Sequence, residues 1–287
     1  MATIVSFHAH PDDEAIATSG TLRRAVDAGH RAVLVLATRG ELGEPVPGVL
    51  AEGEQLGLRR TVEVFEAAAI VGIDRVEFLG WTDSGMMGEA TNDVDGCFWQ
   101  ADVEHAARRL AVILEEEAPE VLTVYDDHGG YGHPDHIQVH RVGVRAAELA
   151  GVPVVVQSTM NRDLMVRSFA MAAEFGIDIE GEAADAEAEG RTVPDPADFD
   201  EMGTAEAELT HVVDVSGALD RKRTAMLAHR SQIGEDHFMA RMPAEAFAYV
   251  FGQEWYQAWG TPAAPAGGLF EQVFAPLGDR AATDASR

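Results

Sequence analysis

Short apolar runs alternate with longer segments of helical period over the first half of the chain. Ala2 to Phe7 reads as a buried strand, and a helical pattern follows from about Ala15. Thr18 to Gly29 carries Leu22 and Val26 on one face, with Gly29 as its stop. Ala32 to Ala37 is a second strand, followed directly by the polar loop Arg39-Gly40-Glu41-Leu42-Gly43. Leu56 to Val71 has Leu58, Val62, Phe65 and Ala69 in helical phase, and Gly72 ends it. Val76 to Leu79 is a short strand, and residues 88–101 lack any period. Val103 to Glu117 is a helix that Pro119 terminates, Val121 to Val124 a strand, Ile137 to Ala150 a helix and Val152 to Val156 a strand. Strands alternating with helices predict an α/β fold, a mostly parallel sheet with helices on both faces.

The pattern loosens after residue 160. Phe169 to Phe175 is a helical candidate, Thr210 to Val215 a strand and Leu219 to His229 a helix. Gly181 to Asp200 is rich in Ala, Glu, Asp and Pro and reads as a mobile insertion. The aromatic-rich segment Ala246 to Trp259 is expected to pack back on the core. The expected organisation is a Rossmann-like core over residues 1–160, a variable insertion over 161–210, a smaller C-terminal part over 211–275 that packs on the core, and a flexible tail over 276–287.

Composition narrows the function. The 287 residues are 46% hydrophobic, enough for one large domain. The formal net charge is −28, and Lys222 is the only lysine. Nucleic acid and anionic membranes are polyanions, so this charge argues against both as partners. No apolar run approaches the ~18 residues of a membrane span. The first strand begins without the basic flank of a signal peptide, so a cytoplasmic protein is expected. Cys97 is the only cysteine, which excludes an intrachain disulfide.

The candidate chemistry sits where two strands end. His10-Pro11-Asp12-Asp13-Glu14 follows the first strand. His10 and Asp13, three positions apart across a proline, can aim an imidazole nitrogen and a carboxylate oxygen at one point. Such groups are common zinc ligands, and a catalytic zinc site has three protein ligands plus water. Asp12 is then a candidate to take a proton from water made acidic by the metal. The competing reading is that Asp12 and Asp13 merely cap the next helix. A second cluster, Tyr131-Gly132-His133-Pro134-Asp135-His136, follows the strand Val121 to Val124. One of its histidines can complete the ligand set. The other can stabilise an oxyanion or protonate a leaving group. Asp135 can fix a histidine tautomer. The expectation is that both loops close on one metal ion.

The two clusters together resemble the PIG-L/LmbE-like family of zinc-dependent N-deacetylases. Arg39-Gly40-Glu41, Arg60 with Glu63, Phe78-Leu79-Gly80, Asp83-Ser84-Gly85-Met86 and Ala228-His229-Arg230-Ser231-Gln232 resemble family segments in the same order. Tyr131 before Gly132-His133 and Asp83-Ser84-Gly85-Met86 are most similar to the actinobacterial branch acting on mycothiol and its glucosaminyl-inositol precursor. The resemblance implies His10, Asp13 and His136 as ligands of Zn2+, with Fe2+ or another divalent metal as the alternative. It implies Asp12 as general base and His133, oriented by Asp135, as the group assisting the oxyanion or the leaving amine. It sets Tyr131 beside the scissile amide and Arg60 and Asp83 against substrate hydroxyls. The implied partner is a small N-acetylated amino sugar or conjugate, and the protein can be a homo-oligomer.

Rival readings are an amidase for mycothiol S-conjugates or another N-acyl amide, and a metal-binding module without turnover. A nucleotide-binding Rossmann protein is disfavoured, because the first strand-to-helix turn lacks a glycine-rich phosphate loop. His8 is read as structural. His229 is either a helix-terminal histidine or a group closing the site.

Overall fold

The computed structural model of the chain describes residues 1–177 and 196–277. Its strands are β1 Thr3–His8, β2 Arg31–Leu36, β3 Arg75–Phe78, β4 Val121–Tyr125, β5 Val154–Thr159, β6 His211–Asp214, β7 Gln253–Ala258 and β8 Ala275–Pro276. All lie in one sheet, ordered β3-β2-β1-β4-β5-β7-β6-β8. The strands from β3 to β5 are parallel, and β7, β6 and β8 extend the sheet by antiparallel pairing. The winding order reverses between β1 and β4. In open α/β sheets this is where the strand ends part and ligands bind.

Strand alternation builds two cores from one sheet. Ile4, Ala32, Val121 and Val154 face one side; Val5, Val33, Leu122 and Val155 face the other. The first side is covered by helix α2 (Ser19–Asp27) through Leu22 and by the helix Leu219–Ala228 through Met226. The second is covered by α4 (Val103–Glu117) through Leu110 and Leu114 and by the helix Pro134–Ala150 through Val139 and Val142. Each fully buried Leu or Val contributes about 1.5–3 kcal/mol. Helices thus lie on both faces, as the alternation predicts.

Several details differ from the sequence reading. In α3 (Leu56–Val71), Leu58, Val62 and Phe65 are 57%, 58% and 51% exposed. The buried face carries Arg60, Glu63, Val64, Ala67, Ala68 and Val71 instead. Two charged residues on the inner face are what the hydrophobic period cannot reveal. The helix expected to start at Ile137 starts at Pro134, a residue suited to the first helical position. The helix Arg162–Ala170 lies earlier than expected, and Ala246 to Trp259 divides into the helix Ala244–Phe251 and strand β7. Residues 88–101 contain the short 3-10 turns Ala90–Asp93 and Phe98–Gln100, with Cys97 buried and unpaired. Much of the expected insertion and nearly all of the expected tail lie outside the described residues. Among those described, no helix is long and apolar enough to cross a membrane.

The single lysine is buried. Lys222 Nζ lies 2.6 Å from Glu254 Oε1 and donates to the Ile16 carbonyl at 2.6 Å. Glu254 also accepts the Gly20 and Thr21 amides at 2.9 and 2.8 Å. Those amides belong to the first turn of α2, whose dipole favours a carboxylate there. The ion pair therefore joins β7, α2 and the helix Leu219–Ala228.

Candidate active site

The loop after β1 departs from ordinary backbone geometry at Asp12, whose φ is 102°. This is a costly region for a residue with a side chain. Helix α1 (Asp13–Ala17) follows at once, and the Ala15 and Ile16 amides donate to the Asp12 carbonyl at 3.0 and 3.1 Å. The Asp12 side chain makes no capping bond, and Asp13 accepts the His10 amide at 2.8 Å instead. A capping role does not account for either acid. Arg60 reaches Asp12 Oδ1 at 3.1 Å, donates to the Gly40 carbonyl at 2.9 Å and also bonds the Pro11 carbonyl. Gly40 makes room for it, since a Cβ there would lie 2.2 Å from the guanidinium.

The loop after β4 turns on glycines. At Gly129, φ is +71°, and a Cβ would lie 2.7 Å from the Cβ of His136. His133 is the residue before the helix Pro134–Ala150, and its Nδ1 accepts the Asp135 amide at 3.1 Å. That bond leaves Nε2 as the protonated nitrogen of the neutral ring.

The two loops meet. His10 Nδ1 is 3.4 Å from Asp13 Oδ2, and His136 Nε2 is 3.4 Å from Asp13 Oδ1. The ring centres of His10 and His133 are 4.7 Å apart, and those of His133 and His136 5.0 Å. One ligand atom from each of His10, His133 and His136 falls within 4.8 Å of the others, as does one from each of His10, Asp83 and Asp135; either grouping could hold a metal ion, and the expected ligand Asp13 is in neither. His136 Nε2 is buried and has no hydrogen-bond partner among the described residues, although buried polar atoms ordinarily have one. An unpaired imidazole nitrogen facing a carboxylate fits a cation between them.

The charges follow from this crowding. Burial alone would lower the His10 pKa, but Asp13, Asp135 and Asp83 hold it well above the ordinary imidazole value. Burial works to raise Asp13, and His136 and His10 hold it well below the usual carboxylate range. Burial raises Asp12 against the pull of Arg60. Burial, with His10 and His136 adding to it, pushes His133 down to about 4.

Other expected residues gather here with altered partners. Asp135 was expected to orient His133; its carboxylate instead lies 3.2 Å from His10 Nε2 and accepts the Ser84 amide at 3.0 Å and the Ser84 hydroxyl. Asp83 accepts the Leu42 and Gly85 amides and lies 3.6 Å from His10 Nε2. Arg60 and Asp83 are 4% and 7% exposed, so both are engaged with the protein itself. Tyr131 is 43% exposed, and its ring meets those of His133 and His136 edge-on. His8 bonds the Tyr125 and Thr18 hydroxyls at 2.7 and 2.8 Å inside the core.

Sequence reasoning passed over Tyr125, Ser84 and Glu14. Tyr125 stacks on His136 with ring centres 4.3 Å apart, and it directly follows the apolar run of β4. Ser84 sits beside Asp83 in a segment already singled out. Glu14 pairs with His229 at 2.8 Å, and Glu63 accepts the Ser231 amide and hydroxyl at 2.9 and 2.6 Å. The late histidine segment therefore lies behind the first loop.

Residues 5–147 match the model of a family described as PIG-L, GlcNAc-PI de-N-acetylase. A protein of Thermomonospora curvata named 1D-myo-inositol 2-acetamido-2-deoxy-alpha-D-glucopyranoside deacetylase is 38% identical over 92% of each chain. The chain belongs to the PIG-L family. A Thermobifida fusca protein of the same name is 40% identical, covering 79% of this chain and 82% of its own. Solved structures share the fold. N,N'-diacetylchitobiose deacetylase from Pyrococcus horikoshii covers 94% of this chain and 85% of its own at a TM-score of 0.60 and 17% identity. A 4-carboxy-2-hydroxymuconate hydratase from Pseudomonas putida reaches 0.57, covering 92% of this chain and 99% of its own at 17% identity. A deacetylase and a hydratase thus share this architecture, so the site and not the fold must decide the chemistry.

Proposed function

We propose that the protein is a metal-dependent hydrolase that removes the acetyl group from an N-acetylglucosaminyl substrate, of the inositol-linked kind named for its relatives. The reading is carried by the convergence of His10, Asp13 and His136 with Asp12 and His133 at the ends of β1 and β4. His10, Asp13 and His136 would hold the cation; zinc suits two imidazoles and a carboxylate, and iron(II) is the next candidate. A bound divalent cation supplies Lewis acidity, which polarises the amide carbonyl and acidifies water.

The rest falls to the chain's own residues. Asp12 receives the proton of the attacking water, and its burial-raised pKa suits a base that must later return that proton. The water oxygen bonds to the acetyl carbon, and the carbon–nitrogen bond breaks. His133, with Nδ1 already occupied, presents Nε2–H towards the developing oxyanion or the departing amine. Asp135 holds His10 from the side opposite Asp13. Tyr131, edge-on to His133 and His136 and partly exposed, would stand beside the scissile amide. The products are acetate and a free amino sugar.

Loading the protein with zinc and measuring acetate released from N-acetylglucosaminyl-inositol tests this. Turnover that falls by about 10²- to 10⁴-fold in Asp12→Asn while the metal stays bound is expected. No acetate from any N-acetylated sugar with the metal in place would refute it. A second reading, an amidase for a bulkier conjugate, is favoured by Met86 and Met87, 47% and 49% exposed on the loop that carries Asp83. Relative turnover of the conjugate and the simple sugar separates the two.

A further inference from the structure

Asp12 holds a φ of 102°, uncommon for a residue with a side chain even though aspartate tolerates positive φ better than most. Such conformations persist where the surroundings over-determine them. Its carbonyl is held by the Ala15 and Ile16 amides and its carboxylate by Arg60. Its amide donates to Glu14 Oε2 at 3.0 Å. The other oxygen of Glu14 lies 2.8 Å from His229 Nε2. Glu14 and His229 are 1% and 0% exposed. His229 follows the helix Leu219–Ala228, more than two hundred positions along the chain. Neither side chain is among the groups proposed to hold the cation.

We propose that Glu14 and His229 are positioning residues for Asp12. Glu14 clamps the Asp12 amide, and His229 fixes the rotamer of Glu14. The clamp keeps the peptide before Asp12 turned so that the carboxylate faces the cluster rather than the start of α1. Without an acceptor for its amide, Asp12 relaxes to negative φ and its carboxylate swings off the attacking water. A purely stabilising ion pair would tie the C-terminal helix to the first loop equally well, but it would leave the conformation of Asp12 indifferent to the substitution. The proposal rests on Asp12 acting as the base, so its test includes a measurement independent of turnover.

Glu14→Gln keeps an acceptor for the Asp12 amide and a partner for His229; Glu14→Ala keeps neither. Crystal structures of both variants, their metal content and their kinetics on N-acetylglucosaminyl-inositol are compared. Alanine is expected to move Asp12 to negative φ and lower kcat by about 10- to 100-fold, the cost of misplacing a reacting group by about 1 Å. KM should stay within about twofold, because ground-state binding is untouched. Glutamine should preserve both the φ and kcat within about threefold. If alanine leaves Asp12 at positive φ, or if glutamine loses as much turnover as alanine, the proposal is overturned. If the wild-type protein deacetylates no sugar, the functional reading fails, while Asp12 in the alanine variant still decides the clamp. Should the alanine variant not fold, His229→Gln against His229→Leu decides by the same criteria, since only glutamine can donate to Glu14.

Discussion

Asp135 offers the sharpest measurement of how the cluster is held. It is fully buried, and Oδ2 accepts both the Ser84 amide at 3.0 Å and His10 Nε2 at 3.2 Å, while Oδ1 accepts the Ser84 hydroxyl. An asparagine fits this pattern. Its carbonyl oxygen can keep both N–H donors, and its amino group can donate to the Ser84 oxygen. Asp135→Asn therefore removes charge and little geometry. A hydrogen bond to a charged group contributes about 1.5–3 kcal/mol and a neutral one about 0.5–1.5. The difference, about 1.4 kcal/mol, is about tenfold in affinity. Asp135→Ala also frees the His10 ring and strands the Ser84 amide, so about 100-fold is expected, the upper range for carboxylates behind metal-bound histidines. Zinc affinity measured by competition with a chromophoric chelator reads both. The pH dependence has a definite sign. Asp135 helps to hold His10 protonated, so its loss lowers the His10 pKa and eases proton competition for the metal. The gap between variant and wild type should narrow in acid and widen as pH rises. Equal affinities for Asp135→Asn and wild type at alkaline pH, or an asparagine variant as weak as alanine, would refute the reasoning.

Three further outcomes follow from the same geometry. Lys222→Met should destabilise the protein by about 3 kcal/mol in urea unfolding, the lower end for a broken buried pair, because Glu254 keeps two backbone donors. Phe65→Ser should change stability by less than about 0.5 kcal/mol if its ring faces water, against about 3–5 for a core phenylalanine. Asp12→Asn should lower kcat by about 10²- to 10⁴-fold with metal content unchanged, read by acetate release and elemental analysis.

The order of strands and helices was readable because β1, β2 and β4 are mostly apolar and buried on both faces, as parallel strands between two helical layers are. The polar loops after β1 and β4 were readable as partners because strand ends are where such folds keep ligands. What could not be read was the direction of individual side chains. Asp135 turned to His10 because Ser84, fifty-one positions away, fixes its carboxylate. The inward face of α3 was missed because Arg60 and Glu63, polar by type, are buried to serve Asp12 and Ser231. The C-terminal strand β7 was missed because an adjoining helix blurs its period.

The Ser6 and Thr123 hydroxyls, 2.6 Å apart, lock β1 to β4 one layer beneath the two loops. Half of the proposed cation site thus leaves the ribosome long before the other half. Of the proposed ligands, a nascent chain would carry only His10 and Asp13 until the loop after β4 has emerged, and the proposed backing from His229 would arrive later still. Metal loading, where it occurs at these loops, would then be a finishing act of assembly and not a template for it.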